Sequence, residues 1–483
     1  MDRDQHLRQA AYKEIEKHQL LVEQDPYRLH YHIMPLVGLL NDPNGFVQWK
    51  GTYHLFYQWM PFETGHGAKF WGHYQSKDLV NWKHEGIALT PAEWFEKNGC
   101  YSGSALVHEG QLYVFYTGNV KDEEGNRESY QCLAVSEDGV HFDKKGPVVQ
   151  LPRGYTAHFR DPKVWEQNGA YFMVIGAQTD DWKGAVVLFT SSNLVDWKHV
   201  GIIAGGGKGP LEAFGYMFEC PDLFHLDGQD VLVFSPQGLE PDGMKYHNVY
   251  QAGYVTGIFE AEKTSYKHGE FYELDHGFDF YAPQTTRDEK GRRILFGWMS
   301  VPDQGEQDHP TIQHQWLHNM TLPRELKLVN GKLYQSPVAE LRDLREGDAI
   351  EREVSINQET RWVKGVEGKA LELELKEINL KAGWLAISFG GSGRIVYSRN
   401  DQVFTMERES YVDGVVEKRQ TEVKELHDLQ IFLDTSSIEV FINGGEYVFT
   451  SRFYPSPNNE SIQFRASQTV SFHLKKWKLR RVF

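Results

Sequence analysis

Cysteine is almost missing from this chain: Cys100, Cys132 and Cys220 are the three in 483 residues. They fall at no metal-ligand spacing and an odd number cannot all pair. Neither a disulfide framework nor a zinc site organises the fold, and a reducing, cytoplasmic setting is expected. No apolar run is long enough to cross a bilayer, which leaves no membrane helix. The opening stretch, MDRDQHLRQAAYKEIEKH, lacks the apolar segment of a secretory signal. Positive charge is also scarce. With 51 Lys and Arg against 67 Asp and Glu, the formal charge is -16, so no basic footprint is available for a nucleic-acid partner. The length exceeds one ordinary core and points to two domains.

What is abundant is aromatic residues, 13% of the chain, which suit sheet cores and stacking on sugars equally. They recur in a repeated hairpin. Asn41 to Gln58, NDPNGFVQWKGTYHLFYQ, reads as a turn, a strand, a tight Lys50-Gly51 turn and a second strand. The same plan returns in SGSALVHEGQLYVFYTG, RDPKVWEQNGAYFMVIGA, ECPDLFHLDGQDVLVFSPQ and APQTTRDEKGRRILFGWM, which puts the turn glycines at 51, 110, 169, 228 and 291. A second ladder, SKDLVNWKHEGIAL, SEDGVHFDKKGPVV and SSNLVDWKHVGIIA, adds a further strand pair to each unit. Four antiparallel strands per repeat, at a period near sixty, predict a five-bladed β-propeller.

The expected layout is all-β: an N-terminal helical segment over residues 1–27, the propeller over 28–333, a linker over 334–347 and a C-terminal β-sandwich over 348–483. In the helix, Leu7, Ala11 and Ile15 share one face that should pack outside the propeller. Beyond residue 347, stretches such as ALELELKEINL, WLAISFGG and VFTMERE alternate apolar and polar residues between turn signals, as a two-sheet sandwich does. We read that domain as structural or as an oligomer interface, the protein being a monomer or a homodimer.

Eight or nine residues before their turn glycines stand Asp42, Asp161 and Glu219. Blades repeat around one axis, so these acids should meet at one mouth of the channel. Three carboxylates can cleave a glycosidic bond, one attacking while another serves as acid and then base. They can equally chelate Ca²⁺ or Mg²⁺, or merely line a solvated tunnel.

NDPNG with Asp42, FRDP with Asp161 and ECPD with Glu219, together with YSGSA, FWGH and the C-terminal EVFINGG and RFYP, resemble glycoside hydrolase family 32, the invertases and fructan-cleaving enzymes. That resemblance implies a retaining β-fructofuranosidase that needs no metal or other cofactor. It implies that Asp42 attacks the anomeric carbon, Glu219 protonates the departing oxygen, and Asp161 steadies the transition state through ring hydroxyls. It marks Asn41, Gln58, Trp71, Tyr101, Ser102 and Arg160 as sugar contacts. Trp71 is favoured as an apolar wall against the sugar, whereas Trp298 is divided between that role and blade packing.

TGHGAKFWGH, GYTAHFRDPKVW and KYHNVYQAGY resemble the bacterial members that cleave sucrose 6-phosphate, so a sugar or sugar phosphate is the expected small-molecule partner. Lys69 and His66 lead as phosphate ligands, followed by His158, Lys245 and His247. Fructan hydrolysis by the same site, an inverting propeller glycosidase and a non-catalytic sugar-binding propeller are the alternatives.

Overall fold

The computed structural model describes residues 2–207, 209–212 and 214–483. Five antiparallel sheets of four to five strands occupy the first two-thirds of the chain, and two six-stranded sheets follow. The first strands of the five sheets are Gly38–Trp49, Cys100–His108, Tyr155–Gln167, Met217–Leu226 and Tyr281–Arg287. Each of these inner strands packs against the next, and the fifth returns to the first, which closes a ring. The propeller is therefore five-bladed.

Repetition in sequence becomes repetition in backbone. Gly51, Gly110, Gly169 and Gly228 all have φ between 70 and 89°, and Lys50, Glu109, Asn168 and Asp227 before them are left-handed too. Two consecutive left-handed residues make the turn whose twist matches a hairpin, and glycine takes the second place without strain. The outer ladder repeats as well: Asp78, Asp138 and Asn193 each accept backbone N–H groups two and three residues onward, capping the turn between a blade's two outer strands.

The fifth blade departs from the pattern. Between Arg293–Trp298 and Arg324–Val329 the chain leaves the sheet, forms 3-10 turns at Glu306–Asp308 and Pro310–His314, and lends Trp316–Leu317 as a short parallel strand to the first blade. This excursion overhangs one mouth of the channel and supplies Pro302 and Asp303 to its rim.

The N-terminal helix, Arg3–Glu23, lies on the outermost strand of the first blade. Ala11 is buried and Leu7 and Ile15 pack beside it, while Arg8 donates to the carbonyls of Ile87 and Ala88. After the fifth blade, a 3-10 turn at Ala339–Leu344 leads into the sandwich, whose sheets enclose a core of Leu, Ile, Val and Phe.

Propeller and sandwich meet through buried charge. His32 bonds Asp434 through Nδ1 at 2.9 Å and Glu439 through Nε2 at 3.0 Å. Arg324 donates to Glu439, to Asp275 and to Thr450. Every member of this seam is buried, so each charge depends on its partners.

Candidate active site

Each inner strand slips register where it nears the axis: between Leu40 and Pro43, Cys100 and Gly103, Arg160 and Lys163, Glu219 and Asp222, and Tyr281 and Gln284. Asp161, Cys220 and Ala282 fall within these bulges with φ of 68, 49 and 46°. A bulge breaks the strict alternation of faces, so two consecutive side chains can be re-aimed. Asp42 and Ser102 lie in the equivalent slips of the first two blades.

The result is two tiers. Asp42, Ser102, Asp161 and Cys220 form one: Ser102 donates to Asp42 at 2.5 Å, the Cys220 backbone N–H donates to Asp161 at 3.0 Å, and the Cys220 sulfur lies 3.6 Å from a carboxylate oxygen of both Asp42 and Asp161. Glu219 belongs to the other tier, with Arg160 and Tyr281. Counting back from the turn glycines, Arg160 and Glu219 both stand nine residues upstream and Asp161 and Cys220 eight, and the register pairs them in the same way. Asp42 shares the tier of Asp161 although it stands nine residues before its glycine, because the first blade carries a second slip, between Asn44 and Val47.

All three acids line one cavity of about 230 Å³ at the mouth of the channel. Asn41, Gln58, His66, Lys69, Tyr101, Arg160 and Trp298 line it too. Ser102 lies just behind, taking a hydrogen bond from Gln58 and giving one to Asp42. Trp71 is elsewhere. It is fully buried, its indole N–H donates to the Tyr101 carbonyl, and its ring packs on Phe56 and Tyr116, so it belongs to the seam between the first two blades. Trp298 is the tryptophan that faces the cavity.

His158 does not line the cavity but bonds Arg160 at 2.9 Å, and Lys245 and His247 are exposed outside it. Gln237, Tyr250, Tyr281 and Arg127 complete the lining and were missed. Tyr281 had a signal: Tyr281-Ala282-Pro283 repeats the frame of Glu219-Cys220-Pro221 and Arg160-Asp161-Pro162. Tyr250 lies within the KYHNVYQAGY stretch, whereas Arg127 had no signal, since it comes from outside both the inner strands and the motifs.

Electrostatically the site is crowded with like charge. Burial raises Asp42 above the usual carboxylate range, Glu219 adds to this, and hydrogen bonds from Ser102 and Asn41 oppose it. Burial likewise carries Asp161 to about 7, Arg160 pulling it down while Glu219 and Asp42 push it up. Glu219 is held by donors on every side: Arg160 Nε and Nη2 reach Oε1 at 2.9 and 2.6 Å, and Gln237 and Tyr281 reach Oε2 at 2.9 and 2.7 Å. Burial brings the Lys69 ammonium down to about 7 despite Glu306, Asp42 and Glu63 nearby. Burial and the neighbouring acids push the Cys220 thiol well up, which keeps it protonated and unsuited to nucleophilic attack. Such an arrangement can hold a proton on one carboxyl while another stays ionised, as acid–base work on a polyol requires.

The glycosyl hydrolases family 32 N-terminal domain model matches residues 32–337, and the family's C-terminal domain model matches residues 340–479. The chain is 53% identical over 478 residues to the sucrose-6-phosphate hydrolase of Bacillus subtilis (strain 168), covering 99% of both proteins. It is 43% identical over 469 residues to the enzyme of that name from Klebsiella pneumoniae, covering 94% of each. Among solved structures it superposes on a sucrose-6-phosphate hydrolase from Lactobacillus gasseri with a TM-score of 0.87 at 32% identity, over 98% of this chain and 97% of that one. It superposes on the Bombyx mori GH32 β-fructofuranosidase BmSUC1 with a TM-score of 0.85 at 33% identity, over 99% of both chains. A five-bladed propeller with three acids at its mouth, a trailing sandwich and these likenesses along its whole length place the chain in glycosyl hydrolase family 32.

Proposed function

We propose that the protein is a retaining β-fructofuranosidase that hydrolyses sucrose 6-phosphate, and sucrose itself, to fructose and glucose 6-phosphate or glucose. The observation that carries this reading is the full-length 53% identity to a sucrose-6-phosphate hydrolase, joined to a cavity that holds Asp42, Asp161 and Glu219 together. The unit from about residue 28 to 333 would carry the chemistry, and the sandwich over 348–483 would brace it.

In the first step the Asp42 carboxylate bonds to the anomeric carbon of the fructosyl unit while that carbon's bond to the bridging oxygen breaks. Glu219 gives its proton to the departing oxygen. In the second step Glu219 takes a proton from water, the hydroxide oxygen bonds to the anomeric carbon, and Asp42 leaves as a free carboxylate. Asp161 would accept hydrogen bonds from ring hydroxyls, drawn tighter as positive charge grows on the ring. Asn41, Gln58 and Arg160 would orient the fructosyl unit, with Tyr101 and Trp298 as the apolar walls. Ser102 would act through Asp42, whose charge its hydroxyl supports.

A phosphorylated sugar is charged and stays where it is made, so the cytoplasm is the proposed location. The three unpaired cysteines suit that reducing setting. The described helices include none long and apolar enough to cross a membrane. Monomer and homodimer are both compatible with this chemistry.

Fructosyl transfer to methanol tests the mechanism. Methyl β-fructofuranoside is the expected product by NMR, and its α anomer would sink double displacement. Parallel kcat/KM values for sucrose 6-phosphate, sucrose and inulin test the substrate, with the phosphorylated sugar expected first and inulin last.

A further inference from the structure

Four side chains that line the cavity are basic: His66, Lys69, Arg127 and Arg160. Arg160 and His66 already bond carboxylates, and Lys69, whose ammonium has no hydrogen-bond partner, is buried near three of them. Arg160 spends its donors on Glu219 and on His158. His66 bonds both oxygens of Glu306, at 3.0 and 3.3 Å. Lys69 is 3% exposed, and the charges nearest its ammonium belong to Glu306, Asp42 and Glu63. A dianion brought to Lys69 would be buried among acids, on the side of Asp42 that must receive the fructosyl unit.

Arg127 differs from Arg160 and His66 in having no carboxylate partner, and from Lys69 in reaching solvent. It opens the strand Arg127–Ser136 of the second blade, pairs across with Lys121, and is half-buried at the cavity wall. Among the described residues its guanidinium makes no hydrogen bond or ion pair. It sits close enough to His158 to help suppress that ring's charge, and His158 bonds the Arg160 that grips Glu219. Arg127 therefore flanks the cavity on the side of Glu219.

Resting on the β-fructofuranosidase reading above, we propose that Arg127 binds the phosphate of the leaving sugar. An acid must face the oxygen it protonates, so the departing glucose lies against Glu219 and between it and solvent. A phosphate on the sixth carbon of that glucose points away from the cleaved bond, toward whatever flanks the acid at the rim. Asp303, exposed beside Tyr250 on the excursion of the fifth blade, repels a phosphate from that part of the mouth. A guanidinium presents two parallel N–H groups that match a phosphate edge, and a half-buried one holds it without the cost of full desolvation. In a chain of formal charge -16, an uncommitted cation at this mouth is a specific attraction for a dianionic substrate.

The test compares wild type, Arg127→Gln and Arg127→Lys on sucrose 6-phosphate and on sucrose, and measures glucose 6-phosphate and glucose as competitive inhibitors. The ratio of kcat/KM for the phosphorylated over the plain sugar should fall about ten- to a hundredfold in Arg127→Gln. Arg127→Lys should fall between, because it keeps the charge and loses the fork. The advantage of glucose 6-phosphate over glucose as inhibitor should collapse in parallel. A wild-type preference that survives intact in Arg127→Gln overturns the role of Arg127 and leaves the substrate reading standing. A wild type with no preference for the phosphorylated sugar overturns both.

Discussion

Arg160 and Glu219, fifty-nine residues apart, occupy matching places in adjacent blades, and Arg160 places two donors on one oxygen of Glu219. The other oxygen faces Gln237 and Tyr281. Four donors around one carboxyl describe its ionised form. The working cycle also needs its protonated form, and of the three side chains that supply these donors Tyr281 can become an acceptor by turning its hydroxyl alone, whereas Gln237 must flip its amide and Arg160 cannot accept.

Tyr281→Phe should therefore slow sucrose hydrolysis on the order of tenfold. With 4-nitrophenyl β-fructofuranoside, whose leaving group needs no proton, the loss should be much smaller. An equal loss on both substrates would show that Tyr281 does not serve proton delivery.

Asp42→Asn and Glu219→Gln should each lower kcat by roughly a thousandfold or more while the thermal transition stays near that of wild type. Glu219→Gln should regain rate on the nitrophenyl substrate, and Asp42→Asn should not. Near-normal turnover in either variant would contradict the assigned roles.

Ser102 supplies a hydrogen bond that favours ionised Asp42 against burial and the Glu219 charge. Removing it leaves those two opposing effects in place. Ser102→Ala should shift the acid limb of the kcat/KM profile to higher pH, since Asp42 then ionises later. A limb that stays in place or moves down would exclude Asp42 as the group that sets it.

His32 makes the seam between propeller and sandwich dependent on pH. Burial opposes its proton, but hydrogen bonds to Asp434 and Glu439 outweigh that and raise its pKa above the usual imidazole value. The stabilisation is complete below about 6.5 and declines as pH rises through the raised folded value. Asp434 and Glu439 are both lowered, burial notwithstanding, so their share is lost only as pH falls through their own depressed values. His32→Gln should cost about 3 kcal/mol or more at pH 6 and flatten the fall in melting temperature toward pH 9. An unchanged pH dependence would remove His32 from this role.

Gly103 has no room for a side chain: an added Cβ would lie 1.9 Å from the Phe115 carbonyl oxygen. Its backbone also joins three blades, accepting from Gln284 and donating to Asn44. Gly103→Ala should destabilise the propeller by about 2 kcal/mol or more and lower activity through the adjacent Ser102. Chemical denaturation would check this, and a neutral result would mean the blades can part locally.

The sequence alone determined the blade count, the sandwich and the three acids that meet, because a turn that demands left-handed glycine leaves its mark at every repeat. It also carried the frame that contains Tyr281, in the prolines that follow each bulge. It could not tell that Asp42 shares the tier of Asp161 rather than that of Glu219, since a second slip in the first blade lengthens its count by one. Nor could it separate Trp71 from Trp298: both are large apolar residues near the motifs, and only the path of the fifth blade decided which one meets the cavity. Lys69 and Arg127 show the same limit. A basic residue reads the same in any chain, but whether its charge is smothered among carboxylates or left open at a rim depends on neighbours brought from other blades, and that is set by packing in three dimensions.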